Sequence, residues 1–348
     1  MDEAAPAATA RHSRFWLYTP FVLLLLIAVA WSVAWFVIRG RAAGALDGWL
    51  AAEARAGRQW TCQDRTIAGY PFRIEIVCGA LGLKQGPVTA SFGRVEAVAQ
   101  VYQPRLVIAE IQGPLNVTDG TVTVQGSWDL LQSSVNLGQS GLQRLSVVAE
   151  APKVTVAGLP AGALATSGRH LELHVRPNPS RSGEKAYDAA LSVKQANVPL
   201  LDALVGGAEP TDLDSDFTIT QADGFRGRPV AQELERWRSA GGKLDILMLS
   251  LAKGPRRVEA KGELRLDETH RPEGQLSLAA AGLDGLLDKV MGRRNGALLS
   301  ALLGQGGAPS GQPGARPVLS PLPPIRLENG RLAFGPFVVP NVALPPVY

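Results

Sequence analysis

The apolar positions of the chain fall into two regimes. Phe15 to Ile38 (FWLYTPFVLLLLIAVAWSVAWFVI) holds no charge in 24 residues. At 1.5 Å per residue this predicts about 36 Å of helix, enough to cross a hydrocarbon core of roughly 30 Å. Trp16 and Tyr18 at one end, and Trp31 and Trp35 towards the other, match interfacial aromatic belts. Pro20 falls in the first turns, where a missing N–H is tolerated. The competing reading is a cleaved signal peptide, whose apolar core normally runs about 7–15 residues. Residues 39–59 are Ala-rich, with Leu46, Trp49 and Leu50 at helical spacing, and predict a helical juxtamembrane segment.

From residue 60 the period changes to two. His170 to Val175 (HLELHV), Asp216 to Thr220 (DFTIT), Leu244 to Leu251 (LDILMLSL) and Glu259 to Leu266 (EAKGELRL) read as strands. Asp119-Gly120 within Val117 to Val124, and Asn329-Gly330 between IRLE and RLAF, are hairpin signals. Helical interludes are expected at 229–239, with Leu234 and Trp237 on one side, and at 283–303. Residues 304–324 are rich in Gly, Pro and Ser and read as a linker. A short pattern, Leu-Ser-apolar followed by Leu-Leu-Asp, recurs about 85 residues apart in ALSVKQANVPLLDAL and QLSLAAAGLDGLLDKV, which points to repetition of a strand–helix unit. The expected organisation is a tail (1–14), a transmembrane helix (15–38), the juxtamembrane helix (39–59), a β-rich domain (60–303), the linker (304–324) and a C-terminal hairpin and tail (325–348). The fold class is mainly β: an antiparallel, elongated or curved sheet with a few covering helices, plus one N-terminal transmembrane helix.

Both cysteines, Cys62 and Cys78, lie in WTCQDRTIAGYPFRIEIVC. Gly69-Tyr70-Pro71 is turn chemistry. A turn centred on Tyr70 sets residue i opposite residue 140 − i, and so Cys62 opposite Cys78, within reach of a disulfide after modest closure. Phe72, Ile74, Ile76 and Cys78 then share one face. Asp64 is the misfit on that face, to be relieved by a bulge. The alternative for the pair is two buried free thiols. A disulfide requires an oxidising compartment. Arg11 and Arg14 precede the apolar run and Arg39 and Arg41 follow it, so flanking charge leaves orientation undecided. The cysteine pair favours a single-pass bacterial inner-membrane protein with about 310 residues in the periplasm.

Charge excludes one class of partner. The net charge of +4 is small for 348 residues. The densest basic spots, Arg256-Arg257 and Arg293-Arg294, carry no interleaved aromatics for base stacking, which argues against nucleic acid. No nucleophile elbow, phosphate-binding loop, dinucleotide fingerprint or zinc-protease motif occurs. His170-x-Glu172-x-His174 would share one strand face, but a solvated polar face accounts for it as well. Asp212-x-Asp214-x-Asp216 starts like a calcium loop, yet the position that needs glycine is Phe217 and the bidentate Glu is Asp223. The expectation is a non-enzyme with no catalytic residue, cofactor or metal site.

LDGWLAAEARAGRQWTC, GYPFRIEIVC and the ending PPIRLENGRLAFGPF resemble the uncharacterised alphaproteobacterial family of the domain of unknown function numbered 2125, from about residue 14 onwards. That family has no assigned reaction, so the resemblance implies a location more than a chemistry. In layout the chain is more loosely similar to AsmA-like envelope proteins, which implies an elongated β groove that carries or organises lipid. A strand face that is apolar and short of helical cover suits acyl chains without any special motif, because each buried methylene contributes about 0.8 kcal/mol. Lipid or another hydrophobic ligand is thus one expectation. A non-enzymatic scaffold that binds envelope proteins is the other. An open apolar face would favour the first, and a filled face with a discrete exposed patch the second.

Overall fold

A computed structural model describes residues 15–139, 141–160, 162–224, 229–282 and 319–348. The expected tail 1–14, the helix at 283–303 and most of the linker at 304–324 lie outside the described residues. So does the helix of the second repeat copy.

Helix α1 (Phe15–Arg55) is one unbroken element. Charge begins at Arg39, but arginine and alanine are good helix formers, so the backbone continues through the boundary at residue 38. It is long and apolar enough to cross a membrane. Arg39 donates Nε–H to Ile67 O at 3.0 Å, and Asp47 pairs with Arg65 at 2.6 Å. Trp49 and Trp60 meet with ring centroids 5.8 Å apart. The helix is thereby laid along the first strands.

Seven long strands follow, each broken once so that one half lies in each of two sheets. They are β1 (Gln59–Gln63) with β2 (Thr66–Ala68), β3 (Arg73–Cys78) with β4 (Ala80–Gln85), and β5 (Val88–Phe92) with β6 (Val95–Gln100). Then come β7 (Gln103–Ile111) with β8 (Leu115–Thr118), β9 (Thr123–Ser127) with β10 (Leu130–Gly138), β11 (Gly141–Glu150) with β12 (Lys153–Ala157), and β13 (Leu164–Ser167) with β14 (His170–Pro177). The larger sheet goes on alone through β15 (Tyr187–Ala196), β16 (Thr211–Ile219), β17 (Leu244–Lys253), β18 (Arg256–Leu266), β19 (Pro272–Ala281), β20 (Ser320–Glu328), β21 (Arg331–Phe334) and β22 (Phe337–Ala343). Among the described residues this gives a 15-stranded and a 7-stranded antiparallel sheet, both in meander order. Among the described residues two short α-helices interrupt the run: α2 (Pro199–Val205) between β15 and β16, and α3 (Val230–Ser239) between β16 and β17.

The breaks line up as a crease along which the sheet folds. Backbone bonds continue across it: Gly79 N–H donates to Gln63 O at 2.8 Å, Gln112 to Arg94 O at 2.8 Å, and Gly168 to Pro152 O at 2.8 Å. Gly93 is required there, because a Cβ would lie 2.5 Å from Gly113 O. β20 begins at Ser320, inside the span read as linker, so 320–324 are strand.

The register around the cysteines differs from the expected one. The first hairpin pairs Ile67 with Ile76 and Cys62 with Leu81, so residue i faces 143 − i. Gly69, at φ +101°, lets Arg73 N–H bond back to Gly69 O, and the turn closes past Tyr70 rather than on it. Cys62 is therefore in the smaller sheet and Cys78 in the larger. The Cys62–Cys78 disulfide joins the two sheets across the crease, with Cα atoms 5.1 Å apart. Asp64, at φ +48°, ends β1 at the crease, so a strand break rather than a bulge relieves the misfit.

Candidate functional site

Period two puts an apolar row across the larger sheet. Ile74, Ala99, Val107, Val135, Leu145 and Val175 are successive direct neighbours. The row continues through Ala189, Phe217 and Ile246. A second row runs through Leu171, Val193, Leu213, Leu251, Val258 and Ala280. The smaller sheet has its own: Leu83, Ala90, Val117, Val124, Val156 and Leu164. The crease turns these faces towards each other and makes an apolar trough.

Few side chains fill it. Leu171, Leu173, Val193, Leu213 and Leu251 are all only half-buried. The core cluster of the described residues lies instead at the far end, where Phe334 and Val339 pack with Leu278, Leu322, Ile325 and Leu332. α3, expected to cover one face or end of the sheet, sits at the strand ends, where Trp237 donates Nε1–H to Thr220 O at 2.8 Å.

The trough deepens where the smaller sheet ends. A cleft of about 490 Å³ is walled by Val154 and Thr166 on one side and by Leu171, Val193, Leu213 and Leu251 on the other. Val198 and Leu201 close it from above. α2 is pinned there by Lys253, 1% exposed, whose Nζ donates to Asp202 Oδ1 and Glu209 O. Thr211 also lines the cleft, is 4% exposed, and its hydroxyl has no hydrogen-bond partner. The cleft thus has apolar walls and one buried polar atom. That composition suits a hydrocarbon chain and offers no acid–base pair.

The polar motifs lie on the opposite, outer face. His170 bonds Glu150 and Glu172 at 2.8 Å each, and His174 bonds Ser146 at 2.9 Å. The Glu172 hydrogen bond, with help from Glu150, raises the His170 pKa above its usual value, and His170 in turn lowers that of Glu172. These groups pair with one another rather than converge on a cation. Asp212, Asp214 and Asp216 all lie within strand β16, so there is no loop to wrap an ion. Asp214 pairs with Lys194, which lowers its pKa, and Asp212 accepts from Gln195 N–H. Among the described residues no group of three or more His, Cys, Asp or Glu is placed to hold a metal.

Of Phe72, Ile74 and Ile76, which the sequence sets on one strand face, Ile74 and Ile76 face the trough. Phe72 does not: it is 61% exposed at the hairpin tip, against Trp31 at 6.0 Å. α2 is the helix of the first repeat copy; its place over the cleft, and Pro152 and Gly168, escaped the sequence reading, because nothing in period two marks where a strand bends or what caps it.

The model of a family described as an uncharacterised protein conserved in bacteria, DUF2125, matches residues 35–342. No curated protein and no solved structure matches the chain.

Proposed function

We propose that this chain, which belongs to the uncharacterised bacterial family DUF2125, is a membrane-anchored, non-enzymatic protein that holds lipid acyl chains in the trough between its two sheets. The observation that carries the reading is the half-buried apolar row Leu171, Val193, Leu213, Leu251 and Val258, which crosses β14 to β18 and, as far as Leu251, lines the cleft under α2. Side chains such as Leu171 and Leu213 gain the rest of their burial from a ligand, at roughly 25 cal/mol per Å² of apolar area. α1 serves as the anchor. The Cys62–Cys78 disulfide supports a β domain on the oxidising side of that membrane, the periplasm of a bacterial envelope.

A photo-crosslinking benzoylphenylalanine in place of Leu213, in the full chain in cells, tests this. Lipid adducts at position 213, absent when the probe replaces outer-face Ser192, are expected by mass spectrometry. A disulfide-formed protein with no lipid adduct at 213 refutes the reading. A protein adduct at that position instead favours the scaffold.

A further inference from the structure

Helix α1 and the β domain overlap in depth. Trp31 donates its indole N–H to Pro71 O at 2.9 Å, and Trp35, 4% exposed, donates to Arg73 O at 3.0 Å. Ser32 Oγ and the Tyr70 hydroxyl lie 2.8 Å apart. Tyr70 also packs edge-on against Trp35, with centroids 5.4 Å apart. The tip of the β2–β3 hairpin is therefore level with residues 31–36, inside the charge-free run that ends at Ile38.

Helix length makes this decisive. About 20 helical residues cross a bilayer core. Counted from Phe15 they end near Ala34, level with the hairpin tip. The tip cannot stand clear of the bilayer while α1 spans it.

The residues at the tip suit that position. Tyr70 is 55% exposed, Phe72 61% and Tyr102 69%. Val101 N–H bonds Phe72 O at 3.0 Å, which sets the β6–β7 turn beside the β2–β3 turn. Tyr70 and Phe72 thus lie against Phe36 and Trp31 of the helix, and Tyr102 is exposed on the adjacent turn. Tyrosine and tryptophan rings, which carry a polar atom, favour the headgroup boundary, and the Phe72 ring adds apolar surface beside them. The carbonyls of Pro71 and Arg73 accept from indoles of the helix, so they need no water. That is what backbone groups require near hydrocarbon.

We infer that the adjacent β2–β3 and β6–β7 turns, with Tyr70, Phe72 and Tyr102, form a lipid-binding surface that dips into the bilayer interface beside α1. It fixes the height and tilt of the β domain, and it brings the near end of the sheet to the lipid surface. The inference rests on the reading of α1 as a membrane span and is independent of what the trough holds.

Spin labels on single added cysteines in the full chain, in phosphatidylcholine–phosphatidylglycerol nanodiscs, test it. The positions are Leu24 in the helix, Phe72, Tyr102, and Pro87 at the opposite end of the first long strands. Pro87 is about 50 Å from Phe72 along the strand. Power saturation reads access to oxygen against access to a water-soluble nickel chelate. Labels at 24, 72 and 102 are expected to favour oxygen several-fold over the label at 87. Lipid exposure at 24 with chelate exposure at 72 and 102 equal to that at 87 overturns the inference and leaves the span intact. Chelate exposure at 24 overturns both. Gel mobility with and without reductant certifies the native disulfide in each labelled chain.

Discussion

Asp119 shows how a single residue sets a turn. Its Oδ1 accepts from Val122 N–H at 2.8 Å, from Thr121 N–H at 2.9 Å and from the Thr121 hydroxyl at 2.8 Å. Those bonds, that of Val122 first, push its pKa down from 3.8 to about 2. A depressed carboxylate stabilises the fold above its unfolded pKa and stops doing so as pH falls through the folded one. Asp119→Ala should therefore lower the thermal midpoint at pH 7, and the gap to the parent should close between pH 4 and 2. Midpoints taken across that range would show it. His170 carries the opposite sign. Its raised pKa means that pairing with Glu172 and Glu150 stabilises below the unfolded value near 6.5 and is lost as pH rises through the folded one. Titration of the imidazole by NMR should place the His170 midpoint above that of His170 in the Glu172→Gln variant. The disulfide acts through the unfolded chain. Replacing Cys62 and Cys78 by Ser removes a closure with a sequence separation of 16, which should cost about 3 kcal/mol in chemical denaturation. The presence of this pair was legible in the sequence. Its register was not, because the turn closes by a bond from Arg73 to Gly69 that spacing alone does not reveal.

Among elements, strands with clear period two, such as β14, β17 and β18, and the hairpins at Asp119-Gly120 and Asn329-Gly330, could be read directly. Their alternation has one physical cause: one face meets water and the other does not. What lies over the second face leaves no mark on that alternation, so the helix expected at 229–239 could be read but its place, over a face or at an end, could not. α3 closes strand ends instead. It also receives the end of the chain, where the Tyr348 hydroxyl donates to Glu235 Oε2 at 2.8 Å and its ring stacks on His270 at 4.4 Å. The far end of the sheet is held by β21. Phe334 is 8% exposed and packs with Leu278, Ile325 and Leu332. Phe334→Ala should destabilise by about 3–5 kcal/mol. Hydrogen exchange should show protection lost first in β20 to β22, while β3 to β7 stay protected.

At the scale of the whole molecule, one crease turns a meander into a trough. It needs only local breaks at Asp64, Gly79, Gly93, Gly113-Pro114, Trp128-Asp129, Pro152 and Gly168, each of which reads in isolation as an ordinary loop. Their alignment appears only once the register is known. This is why the sheet was legible and the site was not. The same meander also governs assembly. Strand partners in both sheets follow one another in chain order, with the widest gap between β19 and β20. Such an order lets strands add one after another, so that stability adds up by nearest neighbours, as in solenoid arrays. With α1 made first, each hairpin can dock on the previous one as it emerges, starting from the bilayer and growing outward. A chain interrupted after β19 should then carry an ordered, disulfide-closed upstream sheet, while one that lacks β2 and β3 loses the template on which everything else is laid.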